Sequence, residues 1–353
     1  MKSNRSGRVP RQKRCQEEIP EMTVMLGLAA MQGALKMGEA INLLERALAH
    51  ESAGRTVVSP KYVTELGVGA MRVLVAADTE AGYCAMKAYH TIQGVGTRYV
   101  VSLYRLKDGE LLALLDGQLI TDMRTGAASG VVARKVAVKG PITVGVIGSG
   151  NQARAQLESL AAVCPIESVT VFSPTQANRD RFAREMGAQL GLPVTAVASV
   201  EAAVSGHPVV VAASSARSAQ PVLRGEFLEG CRLLCAVGNT RRQFAEVDVR
   251  CFGDAGLVIV DSPHAVEEAG DLRAAVEAGV LPESKWVTLA QVISGAVAVP
   301  KKGMVTFKSV GTALQDLALA VRYYERLGAR AATSAVGDLG SLRSPVRETP
   351  AMT

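Results

Sequence analysis

Residues 142–153 decide the fold: they run Ile142-Thr-Val-Gly-Val-Ile147 and continue as Gly148-Ser-Gly-Asn-Gln-Ala153. The first part is apolar or small throughout, which is typical of a buried parallel strand. The Gly-x-Gly-x-x-Ala pattern then opens a predicted helix over about 151–163. Its glycines permit a tight turn and let a ligand approach the backbone, and the helix N-terminus attracts phosphate groups. A strand, a glycine-rich turn and a helix in this order predict a dinucleotide site.

The rest of the chain separates into two patterns around this motif. Short apolar strands predicted at 168–172, 193–197, 208–213, 232–237 and 256–261 alternate with helices, which indicates a doubly wound parallel sheet. The flanking segments differ: we predict helix over 21–50, several strands between 56 and 120 with a hairpin turn at Lys107–Glu110, and a long helix over 307–330. We therefore expect an α/β protein with a Rossmann domain (139–306) inserted in an α+β domain (21–138 plus 307–335). Residues 1–20 are expected to form a disordered basic tail and 336–353 a flexible tail.

The positive charge of the chain lies at its N-terminus. The formal net charge is +6, and the first 14 residues contain no acid. Beyond them, 33 basic residues balance 33 acidic ones. A neutral body argues against a nucleic-acid-binding protein, which needs a basic surface for phosphate contacts. The basic residues of the tail are Lys2, Arg5, Arg8, Arg11, Lys13 and Arg14.

The sequence also disfavours membrane-spanning, secreted and metal-binding proteins. No run of about 18 apolar residues indicates a membrane span, and no signal-peptide pattern follows the basic tail. Six cysteines form no Cys-x-x-Cys pair and four histidines show no zinc-ligand spacing, so we expect no metal. Free thiols favour a reducing, cytoplasmic location.

The end of the second predicted Rossmann strand bears on which dinucleotide binds. NAD sites usually carry an acid there for the ribose hydroxyls. This chain has Phe172-Ser173-Pro-Thr175 instead, with Arg179 and Arg181 shortly after. Hydroxyls and nearby arginines without an acid favour NADPH over NADH. The alternative is that both arginines are solvated helix residues and NADH is used.

Several stretches outside the glycine motif resemble the ornithine cyclodeaminase/mu-crystallin family over about 25–345. They are Asp116–Gly130 with its Arg-Thr-Gly-Ala core, Glu268–Leu272, Leu289–Gly295 and Phe307–Asp316. The resemblance implies a homodimer in which the α+β domain is the substrate-binding/dimerisation domain. It also implies a small-molecule substrate that is an amino acid or the related imino or keto acid.

The resemblance assigns roles to individual residues. Arg124 matches the arginine that holds the substrate carboxylate, which suits the bidentate geometry of a guanidinium. Lys87 matches a pocket lysine, and burial can bring a lysine into the range where it exchanges protons near neutral pH. Lys61 follows Pro60 where many members have arginine and is a candidate second carboxylate contact. The nicotinamide is expected near Ser309 and Gly311.

The candidate cofactor residues come from the Arg-Thr-Gly-Ala core, the glycine turn, the strand ends with the residues that follow them, and the C-terminal segment. They are Thr125, Gly148, Gly150, Asn151, Gln152, Ala153, Ser173, Thr175, Arg179, Ser214, Val237, Gly238, Lys308, Ser309 and Gly311.

One position departs from the cyclodeaminase pattern. Those enzymes carry an aspartate after the glycine that ends the fifth Rossmann strand, whereas this chain has Asn239. An amide can form hydrogen bonds but cannot act as a carboxylate base. This favours an NAD(P)H-dependent oxidoreductase acting on a C=N or C–N bond next to a carboxylate, that is, an imine or ketimine reductase or an amino-acid dehydrogenase. The alternatives are an NAD+-dependent ornithine/lysine-type cyclodeaminase that releases ammonia, and a non-enzymatic mu-crystallin-like ligand-binding protein.

Overall fold

The computed structural model describes residues 23–138 and 140–331. Its N-terminal part is a seven-stranded sheet in the order β1-β7-β6-β5-β4-β2, with β3 paired to the free part of β4. All pairs are antiparallel except β1 with β7. The strands are β1 (Val24–Leu26), β2 (Thr56–Val58), β3 (Tyr62–Glu65), β4 (Gly69–Asp78), β5 (Tyr83–Ile92), β6 (Gly96–Arg105) and β7 (Leu111–Asp116).

Three helices belong to this part of the chain. They are α1 (Leu28–Met31), α2 (Met37–Ser52) and α3 (Gly117–Val136). Helix α3 begins directly after β7, because Asp116 caps it by accepting hydrogen bonds from the amides of Gln118 and Leu119. It is buried along most of its length and leads into the second sheet.

The second sheet is parallel throughout, in the order β10-β9-β8-β11-β12-β15-β13-β14. Its strands are β8 (Ile142–Ile147), β9 (Ile166–Phe172), β10 (Val194–Ala196), β11 (Val209–Ala212), β12 (Leu233–Ala236), β13 (Leu257–Val260), β14 (Trp286–Thr288) and β15 (Val305–Lys308). Its helices are α4 (Asn151–Ala161), α5 (Gln176–Leu190), α6 (Val200–Val204), α7 (Arg250–Gly253), α8 (Ala265–Glu268), α9 (Gly270–Glu277) and α10 (Leu289–Ile293). This is the predicted Rossmann doubly wound sheet.

The strand order places the ligand site. The sequence of strands reverses between β8 and β11, and ligands of open parallel sheets bind at this switch point beyond the carboxyl ends of the strands. The last strand, β15, inserts between β12 and β13, and the chain then forms α11 (Ala313–Ala331), which packs on β4 and β5 of the first sheet. The expected domain boundary at 306/307 therefore falls inside β15.

Two sequence predictions are wrong in detail. The predicted helix over 21–50 contains a strand, β1, because Val24 and Leu26 both point into the core and pair beside β7. The predicted helix over 307–330 starts only at Ala313, since 305–308 is the buried strand β15. The predicted tails, 1–20 and 336–353, lie outside the described residues.

Candidate active site

The glycine turn after β8 has the shape that a dinucleotide phosphate needs. Gly148 has φ +106°, and a Cβ there would lie 2.4 Å from the Ala213 carbonyl oxygen. Gly150 precedes α4, and no described atom lies within 4 Å of the position of its absent Cβ. The glycine at 150 is thus not required by packing within the chain, and it leaves room beside the helix N-terminus for a pyrophosphate.

The side chains at the start of α4 are used inside the protein. Asn151 Nδ2 and Gln152 Nε2 donate to the Asp122 carboxylate on α3, at 3.2 and 2.7 Å. Ala153 is fully buried. These contacts tie α4 to α3, so any phosphate contact of Asn151 and Gln152 falls to their backbone amides.

The end of β9 carries the residues expected to choose the cofactor. The Ser149 hydroxyl donates to the Ser173 hydroxyl at 3.0 Å, which joins the glycine turn to this strand end. Arg179 Nη1 donates to the Ser173 carbonyl oxygen at 3.0 Å, so its guanidinium lies over the strand end. Thr175 is the exposed N-cap position of α5.

A buried carboxylate that the sequence analysis missed joins the next two strand ends. Glu246 accepts from the amide of Ser214 after β11 at 2.5 Å and from that of Gly238 after β12 at 2.8 Å. It is 0% exposed, and burial raises its pKa despite attraction to Lys308. The Ser214 hydroxyl is buried without a hydrogen-bond partner among the described residues.

A second missed carboxylate shapes the loop where the nicotinamide is expected. Asp261 accepts hydrogen bonds from the Ser309 hydroxyl at 2.6 Å and from the amides of Val310 and Gly311 at 2.8 and 3.0 Å. Gln315 Nε2 donates to the same carboxylate. The loop is therefore held in one conformation before any ligand arrives.

Lys87 and Arg124 meet at a third buried carboxylate, Asp316. Lys87 Nζ donates to Asp316 Oδ1 at 2.8 Å and to the Thr121 hydroxyl at 2.6 Å. Arg124 Nε lies 3.4 Å from the same oxygen, and its Nη1 donates to Gln315 Oε1 at 3.0 Å. No described atom accepts from Arg124 Nη2, which leaves this donor for a ligand in the cavity that both residues line.

The surroundings of Lys87 lower its pKa. It is 2% exposed and lies over the stacked rings of Tyr89 and Tyr99, 5.7 and 5.1 Å from their centroids. Burial lowers its pKa to about 8; Asp316 opposes this shift and Arg124 adds to it. Both protonation states are therefore populated near neutral pH.

The other two candidate lysines are already paired. Lys61 Nζ donates to Glu268 Oε2 at 2.6 Å and to the Val310 carbonyl oxygen at 3.2 Å. Burial alone would lower its pKa, but attraction to Tyr89 and Glu268 outweighs burial and the net pKa is raised. Lys308 is fully buried, forms an ion pair with Asp271 and does not line the cavity. It donates to the carbonyl oxygen of Asn239 and so links the ends of β15 and β12.

Asn239 offers a free donor in the cavity. Its Oδ1 accepts from the Arg241 amide at 3.1 Å, which fixes the orientation of the side-chain amide. Its carbonyl oxygen accepts from Lys308 Nζ. The residue is 5% exposed, and Nδ2 has no hydrogen-bond partner among the described residues. The lining of the cavity also includes Thr125, Gln152, Val237 and Gly238.

The described residues show neither a metal centre nor a membrane-spanning helix. Among them, no group of three or more His, Cys, Asp or Glu side chains could hold a metal ion. None of the helices in 23–138 and 140–331 is long and apolar enough to cross a bilayer.

Comparison with known proteins identifies the family. The family model for the ornithine cyclodeaminase/mu-crystallin family matches residues 21–331. The Delta(1)-pyrroline-2-carboxylate reductase of Bacillus cereus is 31% identical over 304 residues, which cover 83% of this chain and 93% of that protein. The structure of the Thermococcus litoralis Delta(1)-pyrroline-2-carboxylate reductase in complex with NADH and L-proline is 28% identical, with a TM-score of 0.82 over 90% of this chain and 99% of that one. An archaeal alanine dehydrogenase dimer with bound NAD is 27% identical, with a TM-score of 0.80 over 87% and 97%. The chain belongs to the ornithine cyclodeaminase/mu-crystallin family.

Proposed function

We propose that the protein is an NAD(P)-dependent oxidoreductase that reduces a C=N bond next to a carboxylate, as an imine or ketimine reductase, and catalyses the reverse oxidation of an amino acid. The observation that carries the proposal is the meeting of Lys87 and Arg124 at Asp316, beside the Ser309–Gly311 loop that follows β15. Similarity to reductases and a dehydrogenase with bound nicotinamide cofactors supports it.

Arg124, Lys87 and Asp316 each have a separate role in the proposed reaction. Arg124 offers Nη2 to the substrate carboxylate in a charge-assisted hydrogen bond. Lys87, in its protonated form, donates a proton to the imine nitrogen. The bound cofactor supplies the hydride to the imine carbon. Asp316 holds both cations in one place, which fixes the nitrogen and the carboxylate of the substrate relative to each other.

The site does not favour a cyclodeaminase. Asn239 presents a donor, Nδ2, where ring closure would need a carboxylate to accept a proton. Asp316, the acid beside Lys87, is already shared by two cations. A non-enzymatic ligand-binding role would not require a buried lysine with its pKa lowered to about 8 at the same carboxylate as Arg124.

The first prediction concerns turnover. NADH or NADPH oxidation followed at 340 nm should be seen with 2-oxo acids plus ammonia or methylamine, or with cyclic ketimine carboxylates. Mass spectrometry should identify the matching amino acid as product. Turnover of ornithine or lysine with ammonia release and no net cofactor change would contradict the proposal.

The second prediction concerns the cofactor, for which we propose NADPH. Arg179 lies over the Ser173 carbonyl, at the strand end where the adenosine ribose binds in Rossmann sites. Arg179→Ala should lower kcat/KM for NADPH about tenfold and leave that for NADH nearly unchanged, since a hydrogen bond to a charged group contributes about 1.5–3 kcal/mol. Arg181→Ala, on the exposed side of the same helix, is the matched control. An unchanged NADPH/NADH ratio in Arg179→Ala would overturn the preference.

The third prediction concerns assembly, for which we propose a homodimer. Large apolar side chains are exposed on β2, β3 and the adjoining turn, among them Val57 (67%), Tyr62 (62%) and Val68 (60%). Several large apolar side chains exposed on neighbouring elements are a feature of interfaces. Sedimentation equilibrium should give twice the chain mass, and Val68→Asp should shift the protein toward monomer. A monomeric wild type would refute the dimer, and a dimer unaffected by Val68→Asp would place its interface elsewhere.

A further inference from the structure

Three arginines line the outer part of the same cavity. Arg72 lies on β4, Arg217 follows β11 and Arg241 follows β12, and all three are half-buried. Among residues 23–138 and 140–331, no carboxylate forms an ion pair with any of them. The inner cations differ, because each already has an acid: Glu268 for Lys61 and Asp316 for the other two.

Two of the three outer arginines lie over aromatic rings. The Arg72 guanidinium lies 5.8 Å from the centroid of the Tyr89 ring, and that of Arg241 lies 6.0 Å from the Phe244 ring. An aromatic face orients a guanidinium while leaving its N–H groups free for an oxygen ligand. The rings therefore orient Arg72 and Arg241 without occupying their N–H donors.

Their charges repel one another in the folded protein. Burial lowers the pKa of Arg241, and the neighbouring charges of Arg217 and Arg72 lower it further. Attraction to the exposed Glu65 raises the pKa of Arg241, but it is the smallest of these influences. Like charges gathered in a partly buried cavity are stabilised when an anion binds among them.

The side-chain amide of Asn239 provides a further donor in this cavity. Its buried Nδ2 lines this cavity without a partner in the described part of the chain, and its Oδ1 accepts from the backbone of Arg241. The outer cavity thus presents guanidinium and amide donors, a set that suits a carboxylate.

We propose that these arginines bind a second carboxylate of the substrate, so that the preferred substrates are 2-imino dicarboxylic acids and the matching amino dicarboxylic acids. The inference rests on the proposed function and names the substrate class of that site. Arg124 holds the carboxylate beside the reacting carbon, and the outer arginines hold the distal one. A side-chain ammonium, as in a diamino acid, would be repelled at the same place.

Turnover of matched pairs tests the inference. With the full-length enzyme, reduced cofactor and methylamine, oxaloacetate should exceed 2-oxobutyrate in kcat/KM by about 100-fold, because its distal carboxylate forms charge-assisted hydrogen bonds that a methyl group cannot form. Arg72→Gln, Arg217→Gln and Arg241→Gln should each reduce this ratio about tenfold. Arg224→Gln, an exposed arginine outside the cavity, should leave it unchanged. Equal kcat/KM for the two acids would overturn the inference and leave the proposed function intact.

A binding measurement decides the inference even if no turnover is found. Calorimetry with the oxidised cofactor present should show L-aspartate binding at least tenfold more tightly than L-2-aminobutyrate, with the difference lost in Arg72→Gln. Absence of turnover with any imino acid would refute the proposed function alone. Equal binding of the two amino acids would refute the second carboxylate site.

Discussion

Replacing Arg124 with alanine is expected to lower kcat/KM for imino-acid reduction about 1,000-fold. Arg124 is buried and lines the cavity, and loss of one partner of a buried charge pair costs about 2–5 kcal/mol. Most of the loss should be in KM, because the carboxylate is held equally in the ground state and the transition state. Steady-state kinetics with varied substrate and saturating cofactor measures this split.

The control for Arg124 is the conservative change to lysine. Arg124→Lys keeps the charge but loses the planar fork, so we expect an intermediate loss of about 10–100-fold. Cofactor affinity, measured by quenching of NAD(P)H fluorescence, should stay within about threefold of wild type in both variants. If cofactor binding collapsed while the fold was retained, Arg124 would belong to the cofactor site instead.

Replacing Lys87 with methionine should lower kcat about 100–10,000-fold, which is the usual range for losing a general acid. In the wild type, kcat/KM for reduction should fall as the pH rises through about 8, because only protonated Lys87 donates. Oxidation of the amino acid needs neutral Lys87 and should rise through the same pH. Lys87→Met should remove both pH dependences.

The fall in kcat/KM near pH 8 forms a limb of the pH–rate profile. The neighbours of Lys87 predict the direction in which this limb moves in variants. Asp316 raises the pKa of Lys87, so Asp316→Asn should shift the limb to lower pH. Arg124 lowers that pKa, so Arg124→Ala should shift the limb to higher pH. Rate profiles from about pH 6 to 10 measure both shifts. A limb that persists in Lys87→Met would show that another group gives the proton.

The parallel sheet and its glycine turn could be predicted because their signals are local. Buried parallel strands are apolar or small in nearly every residue, as in β8 and β11, so they can be recognised without knowledge of their neighbours. Gly148 is required by its own φ and by contact with the next strand end. The predicted positions of β9, β12 and β13 agree with the structure for the same reason.

The first sheet was harder to predict because its strands depend on distant partners. β1 has only three residues, and it becomes a strand by pairing with β7 almost 90 residues away. β5 gives no clear strand signal, because inward-facing Lys87 interrupts the apolar alternation that identifies a half-buried strand. Lys87, to which we assign proton transfer, is also the residue that breaks the strand pattern of β5.

The carboxylates that organise the site could not be found from the sequence. Asp316 is 229 residues from Lys87, and Asp261 is 48 residues from Ser309. An acid in an apolar stretch signals that a partner exists, but not which one. Glu268 and Asp271 lie in a stretch that resembles the family, and only the fold shows that each pairs with a lysine.

Transfer of deuterium from labelled cofactor tests the central claim most directly. NADPH or NADH carrying deuterium at the transferring position of C4 is mixed with enzyme and the 2-imino acid formed from oxaloacetate or pyruvate with methylamine. We predict one deuterium on the α-carbon of the amino-acid product for each cofactor oxidised, as read by mass spectrometry. Unlabelled product, or conversion of ornithine to a cyclic amino acid with ammonia release and no net cofactor oxidation, would contradict the account.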